Sequence, residues 1–383
     1  MKKINKKSKV LIILISLSMS LNLSGCWDSL DIENRVLVKM IGIDTAKEDD
    51  RVEVTVQLIE IEGAGEEGEA GQDFITVSTT AYTIEEAIKG IRRKTGRELY
   101  LGYNQVIIFG HELAEEGVEE QLDFFLRHPD INIRNHLYVA HEEASEIIET
   151  PHLIEELPAR TLELHILMDK GRHYIADLRE YMMALLNETS DPMMGHIMKE
   201  EGDEEEESFE VLSGSLFKED KFASFFVFKE SRGVNWVLNP RRVDGAVTIQ
   251  NPFDEEKGLS IDILDAKSEV SYENTTPDEL KASIEVSVVG RLSENQVRRY
   301  QIDTTENIQQ LNHRVSQSVA NEVIAALEVS QEHEADIFGF GDLLYRTAPD
   351  IYYKLKDDWD EVYEDLEVAV EVETEIRRPG LRR

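Results

Sequence analysis

Leu366-Glu367-Val368-Ala369-Val370-Glu371-Val372-Glu373-Thr374-Glu375-Ile376 alternates apolar and mostly acidic side chains along most of its length. Successive side chains of a strand point to opposite faces, so this period of two predicts a half-buried β-strand with Leu366, Val368, Val370, Val372 and Ile376 inward. Two more alternating runs precede it, 259–272 and 281–292, the latter with Ile284, Val286 and Val288 on one face. Between them and the closing strand lies 306–327, where Ile308, Leu311, Val315, Val319 and Val323 recur three or four residues apart, the spacing of an amphipathic helix. A second helix over 342–356 is kinked near Pro349. Strand–strand–helix–helix–strand predicts an α+β layer with helices packed on one sheet face.

Further toward the N-terminus the pattern mixes the two periods. Runs 35–44 and 51–61 read as a β-hairpin, 74–80 as another strand, and 83–94 as a helix that opens on Thr83 with Glu86 three residues on. A strand over 99–109, a helix over 112–126, a strand over 133–140 and a short helix over 144–149 follow; 153–183 reads mainly as helix, interrupted at Pro158 and Gly171. Residues 209–217 and 222–228 form a predicted hairpin, with a short helix or turn over 231–238. The acidic run 200–207 has no apolar residue and reads as a solvated linker. The expected organisation is therefore a signal segment 1–25, an α+β region 26–199 of one or two subdomains, the linker 200–207, and a C-terminal α+β domain 208–380 in which 208–250 can stand as a separate hairpin subdomain.

The charge balance, 41 Lys and Arg against 78 Asp and Glu for a formal −37, excludes general nucleic-acid binding, since phosphates meet like charge. What holds such a body elsewhere is written at the start. Residues 1–9 carry five lysines, 10–23 form an apolar run too short to span a bilayer permanently, and Leu23-Ser24-Gly25-Cys26 has the apolar–small–small–Cys order of a lipobox. Cleavage is expected between Gly25 and Cys26, with lipid joined to the Cys26 thiol; two or more acyl chains (palmitate-like) give a stable anchor. Cys26 is also the sole cysteine, so intramolecular disulfides and multi-cysteine metal sites are excluded.

No enzyme signature assembles. Residues 63–68 match G-x-G-x-x-G, but glutamates interleave the glycines and no helix follows. His111-Glu112 and His141-Glu142 begin a zinc protease motif without its second histidine, and His165 and His173 read as packing or surface residues. The expectation is no catalytic residues, no metal and no cofactor.

Four places, in order, resemble the C-subunit lipoproteins of spore germinant receptors, the Ger(x)C family. They are Gly25-Cys26-Trp27-Asp28 with Ile32-Glu33-Asn34 and Ile41-Gly42-Ile43-Asp44; Asn104 to Phe109 leading through Gly110-His111-Glu112-Leu113 to Leu122-Asp123-Phe124-Phe125-Leu126-Arg127 and Pro129; Asp336-Ile337-Phe338-Gly339-Phe340-Gly341; and Trp359 followed by Val368, Val370, Ile376 and Gly380. The stretch 221–228 departs from the family's usual strand, and the acidic run looks inserted. The resemblance implies a non-enzymatic subunit on the extracytoplasmic face of the spore inner membrane, partnered by polytopic A and B subunits, in a complex that responds to nutrients. It assigns nutrient binding to the B subunit and leaves this chain a structural or coupling role. An alternative from the residues is a lipoprotein that binds a small solute itself, which usually shows two βαβ lobes around a cleft. The terminal Arg377, Arg378, Arg382 and Arg383 are candidates for contact with lipid phosphate or an acidic partner loop.

Overall fold

A computed structural model describes residues 35–47, 51–60, 74–150, 158–168, 171, 173–200, 208–243, 245–251, 254–277, 279–297 and 304–377. The signal segment, the Cys26 lipobox, the 63–68 loop, the acidic run beyond Glu200 and the arginines after Arg377 lie outside the described residues.

The first sheet has strands β1 (Arg35–Thr45), β2 (Val52–Glu60), β3 (Phe74–Ala81), β4 (Glu98–Tyr100), β5 (Val106–Phe109), β6 (His136–Ala140), β7 (Ala176–Asp177), β8 (Met193–Glu200), β9 (Ser208–Lys218) and β10 (Lys221–Phe225). Its main order is β10-β9-β8-β6-β5-β1-β2-β3, with β4 beside β1 and β7 beside β6. The central β1, β5, β6 and β8 are parallel, and antiparallel hairpins flank them on both sides. All four residues of β5 are buried because both faces are covered. Ile107 and Phe109 meet a core shared with helices α1 (Ile84–Thr95), α2 (His111–Glu116) and α3 (Glu119–Arg127), while Val106 and Ile108 meet one shared with α4 (Ala144–Glu149) and α5 (Pro158–Met168). Helix α6 (Leu178–Leu185) joins the first of these cores through Leu178 and Tyr181.

The second sheet has the order β11 (Ala246–Asn251), β12 (Asp254–Thr276), β13 (Glu279–Asn295), β14 (Glu367–Arg377). Strand β14 is the closing alternating segment. It pairs parallel to β13, with Ile284 opposite Val370 and Val286 opposite Val372. Leu366 and Ile376 are buried, whereas Val368, Val370 and Val372 are half-buried, as suits an edge strand. Helices α7 (Phe228–Leu238) and α8 (Thr305–Glu332) share its core, and Leu311, Val315, Val319 and Val323 of α8 are all buried. Three short helices, α9 (Phe340–Thr347), α10 (Pro349–Leu355) and α11 (Trp359–Glu364), lead into β14. The α+β class is as expected.

Several local expectations change. Helix α1 opens as read, Thr83 Oγ1 accepting from Glu86 N at 3.2 Å, and ends on Gly96 in the left-handed region at φ 68°. The single helix expected over 112–126 is two helices. Gly117 at φ 125° breaks it, and Val118 N and Glu119 N turn instead to Asp220 O (3.1 Å) and Asp220 Oδ2 (3.2 Å). The strand expected over 99–109 is interrupted by a 3-10 turn, Leu101–Tyr103.

The acidic run does not separate the two layers. Strands β8 and β9 pair across it, Lys199 opposite Phe209 and Glu200 opposite Ser208, so 208–225 extends the first sheet and is not part of a C-terminal hairpin subdomain over 208–250. Met193 and Leu216 of that sheet also pack into the second layer's core. Backbone ladder bonds between segments on either side of the run bind 208–225 to the first layer, and charge composition alone does not register them.

Candidate functional site

The motif residues named above converge on two buried aspartates. At the first, Asp336 is fully buried in the loop between α8 and α9. Its Oδ1 accepts from Gly339 N (2.8 Å) and Phe340 N (3.1 Å), and its Oδ2 from Gly341 N (2.8 Å) and Trp359 Nε1 (3.3 Å). An aspartate whose side chain satisfies backbone N–H groups just ahead of it is the usual way such a loop is held. Gly339 adopts φ 73°, and a Cβ on Gly341 would sit 2.4 Å from Thr189 Cβ, so both glycines are required by geometry.

This loop is sewn to the first layer. Asp191, just ahead of β8, accepts from Asp336 N at 2.9 Å, while its own N donates to Asp336 O at 3.1 Å. The other Asp191 oxygen takes Glu219 N at 2.8 Å. Lys218 Nζ bridges Asp191 Oδ2 (3.4 Å), Asp360 Oδ1 (2.7 Å) and Glu334 O (2.6 Å). Burial pushes the Asp336 carboxyl up to about 7 against its three backbone N–H donors, and raises Asp191 as well. Burial works against the Lys218 charge, but Asp360 and Asp191 outweigh it and its pKa rises.

The second node closes β1. Asp44 Oδ1 accepts from Ala144 N at 2.6 Å and Oδ2 from Ser145 N at 3.0 Å, tying the sheet to the start of α4. Burial raises its pKa to about 6, opposed by those two N–H groups. A Cβ on Gly110 would lie 2.1 Å from Asp44 Oδ1, which explains a glycine directly after β5. A fourth buried carboxylate, Glu322 on α8, pairs with Arg232 (Nε to Oε2 2.7 Å) and accepts from Trp236 Nε1 at 2.8 Å, joining α8 to α7.

Every one of these carboxylates is occupied by internal donors, and Asp336 has no exposed surface. Their chemistry is to hold backbone and helices in register, not to attack or ligate. Among the described residues no group of three His, Cys, Asp or Glu side chains is placed to hold a metal ion, and no helix is long and apolar enough to cross a membrane. His111, His141 and His196 gather around Phe225, with ring centroids 5.4, 5.2 and 3.7 Å from it. Burial, then His141 and His111, hold the His196 pKa down at about 3, so this ring is neutral and packs as an aromatic. His173 Nδ1 contacts Leu212 O at 2.8 Å, and His165 is half-buried on α5. A groove of about 480 Å³ lies beside Tyr82, Glu85, Glu120, Asp123, Phe124 and Arg127.

The sequence reading singled out Asp336 through Gly341, Trp359, Asp44 and Gly110 only as parts of a resemblance. An Asp followed by glycines three and five residues on is a local signal for the loop. For Asp191, 145 residues from Asp336, there is none.

Comparison with known proteins divides the chain elsewhere, between β8 and β9. Residues 28–199 match the family described as the spore germination protein N-terminal domain, and residues 213–380 match the family described as spore germination B3/GerAC like, C-terminal. The chain belongs to the GerAC-like spore germination family. Members similar to it in Bacillus subtilis (strain 168) include the putative spore germination protein YfkR, 25% identical over 94% of both chains, and spore germination protein KC, 24% identical over 98% of this chain and 97% of that one. Spore germination protein B3 is 21% identical over 94% of this chain and 95% of its own length. The fold matches the crystal structure of the GerBC protein with a TM-score of 0.57 at 16% identity, covering 88% of this chain and 96% of that one. The C-terminal family match begins inside β9, so the family's two named parts share one sheet here.

Proposed function

We propose that the protein is a lipid-anchored, non-enzymatic subunit of a nutrient germinant receptor. It is held by acyl chains on Cys26 at the extracytoplasmic face of the spore inner membrane and works with polytopic A and B subunits. The observation that carries this reading is the order of parts: a lipobox ending at Cys26, then the two germination families over 28–199 and 213–380. The internal use of the buried carboxylates supports a structural or coupling role. Two layers joined at Asp191, Lys218 and Asp336 give a body in which a displacement of one layer is passed to the other.

Replacing Cys26 by Ala tests the anchor. The altered chain should leave the membrane fraction, and the native chain should yield a lipidated N-terminal peptide by mass spectrometry. A bare thiol on protein that still sediments with membranes would overturn the reading. A second reading, direct binding of a small solute, is favoured by the groove beside Tyr82 and Phe124, in which Glu120 lies next to the Glu85–Lys89 and Asp123–Arg127 ion pairs. Calorimetry of the chain with candidate nutrients decides it, since saturable heat that Phe124→Ala abolishes would move the nutrient site here.

A further inference from the structure

The two sheets end in four edge strands, β10 and β3 in the first, β11 and β14 in the second. An edge displays unpaired N–H and C=O groups, and proteins guard such edges with charge, proline or brevity. Three of the four are guarded here. Strand β14 carries glutamate at 367, 371, 373 and 375; β10 is five residues long and opens on Lys221; β11 is six residues long and is followed in the sequence by Pro252. Strand β3 differs. It runs for eight residues, Phe-Ile-Thr-Val-Ser-Thr-Thr-Ala, with no charge, proline or glycine, in a chain that is 31% charged.

The geometry shows which of its backbone groups face outward. The β2–β3 ladder runs from Val52 opposite Ala81 to Ile59 opposite Phe74 without a register shift. Thr55 and Ser78 lie opposite one another with their hydroxyls 2.8 Å apart, the close approach of a pair that exchanges no backbone hydrogen bonds. Ser78 O instead accepts from Lys94 Nζ of α1. Ser78 therefore turns its backbone away from β2, and by the alternation of the ladder so do Phe74, Thr76 and Thr80. Among the described residues nothing accepts from the amides of Thr76, Ser78 and Thr80. The side chains along this edge are aliphatic or hydroxylic: Ile75 is 52% exposed, and Thr76, Val77, Ser78 and Thr79 are half-buried.

We propose that β3 is a docking edge, which takes up as an added strand an extended segment of another protein, uncharged over about six residues and rich in Val, Ile or Thr. Main-chain hydrogen bonds along the open edge give the affinity, and the alternate side chains give the choice of segment. A charged side chain on that segment would be set beside Ile75 or Val77 and lose hydration without gaining a partner. An acidic segment would in addition meet the six carboxylates of 60–73, the sequence leading into the strand, and a second copy would bring its own net −37 against the same charge. Lys94 is exposed and holds a single carbonyl, so an incoming strand displaces it at a cost of about 1 kcal/mol or less. The inference goes beyond the proposed function and stands whether or not Cys26 is lipidated.

The full chain is made with the photoreactive residue p-benzoylphenylalanine at position 80, on the open edge, or at position 373 of β14 as control, and is illuminated in intact spores. A cross-linked product is expected from position 80 and not from 373, and mass mapping should place its other end in an uncharged stretch of a different protein. Thr76→Pro deletes one outward N–H while leaving the β2–β3 ladder whole, and should cut the product roughly tenfold, since the partner carbonyl is left unsatisfied. Thr76→Val keeps the amide and should retain the product. Thr76→Lys has a complete backbone and restores a guard of the kind found on other edges, so it should also cut the yield; a proline variant that fails to fold thus leaves the comparison standing. A product mapped to a second copy of this chain overturns the choice of occupant. No product from position 80, a product mapped to a charged segment, or a yield unchanged by both Thr76→Pro and Thr76→Lys overturns the docking edge itself.

Discussion

Glu322→Gln removes the charge from a carboxylate that is 4% exposed and leaves its partner behind. The Arg232 side chain, 15% exposed and hydrogen-bonded to Glu322 through Nε and its terminal nitrogen, then faces a neutral amide. Breaking a buried pair from one side costs about 3–5 kcal/mol, because the surviving charge is desolvated without compensation. Partial solvent access to Arg232 places the expected loss near the lower bound, about 3 kcal/mol. Trp236 Nε1 keeps an acceptor in the Gln oxygen, so it adds little. Urea unfolding followed by tryptophan fluorescence in a Trp27→Phe background reads the second core directly, since the other two indoles, Trp236 and Trp359, are buried there. The midpoint should fall by about 1 M. Adding Arg232→Met to Glu322→Gln should cost less than the two single losses together, with a coupling of about 2 kcal/mol, because the uncompensated guanidinium is gone. A single-variant loss under about 1 kcal/mol, or strict additivity, would refute the account of α7 and α8 as joined by a buried charge pair.

Three further outcomes follow from the nodes and the glycines. Gly233→Ala places a Cβ 2.0 Å from Glu322 O, a backbone atom, and should cost more than about 2 kcal/mol, whereas Gly96→Ala meets open space at positive φ and should cost about 1 kcal/mol; the reverse order in urea midpoints would sink the packing argument. Asp336 has its pKa raised from 3.8 to about 7, so the native state holds a proton that the unfolded chain releases earlier. Its contribution is therefore complete below about pH 4 and is lost as pH rises through about 7, and Asp336→Asn should flatten the stability profile across that window; an unchanged slope counts against it. Asp44→Ala frees the Ala144 and Ser145 amides and should cost about 2 kcal/mol, visible as faster hydrogen exchange at those two amides and not across β13.

Much of the fold is legible in local pattern. The period of two in β14, the buried stripe of α8 and the Thr83 cap are each decided by neighbours a few residues away. What is lost is decided at long range. The break between α2 and α3 is fixed by Gly117 together with Asp220, about a hundred residues on, and the continuous apolar pattern hides it. Strand β11 and helix α11 span six residues each; β11 does alternate exposed and buried positions, but over so short a run the period carries little weight in the sequence. The acidic run reads as a boundary because composition changes there, yet the ladder between β8 and β9 ignores composition. Of the aspartate nodes, the Asp336 loop carries a local signature, while Asp191 and Asp44 become meaningful only once segments 100 or more residues apart are brought together.

Strand β14 has a consequence for how the molecule is completed. It is the last described segment, and β13, seventeen residues long, has one of its two edges satisfied by it alone. Until residues 367–377 arrive, that edge displays unpaired amides and carbonyls, an invitation to any other extended chain. Completion of the second layer must therefore wait until residues 367–377 have been made, and a nonsense codon a short way upstream of Glu367 would be expected to yield an aggregating product rather than a slightly shorter working one.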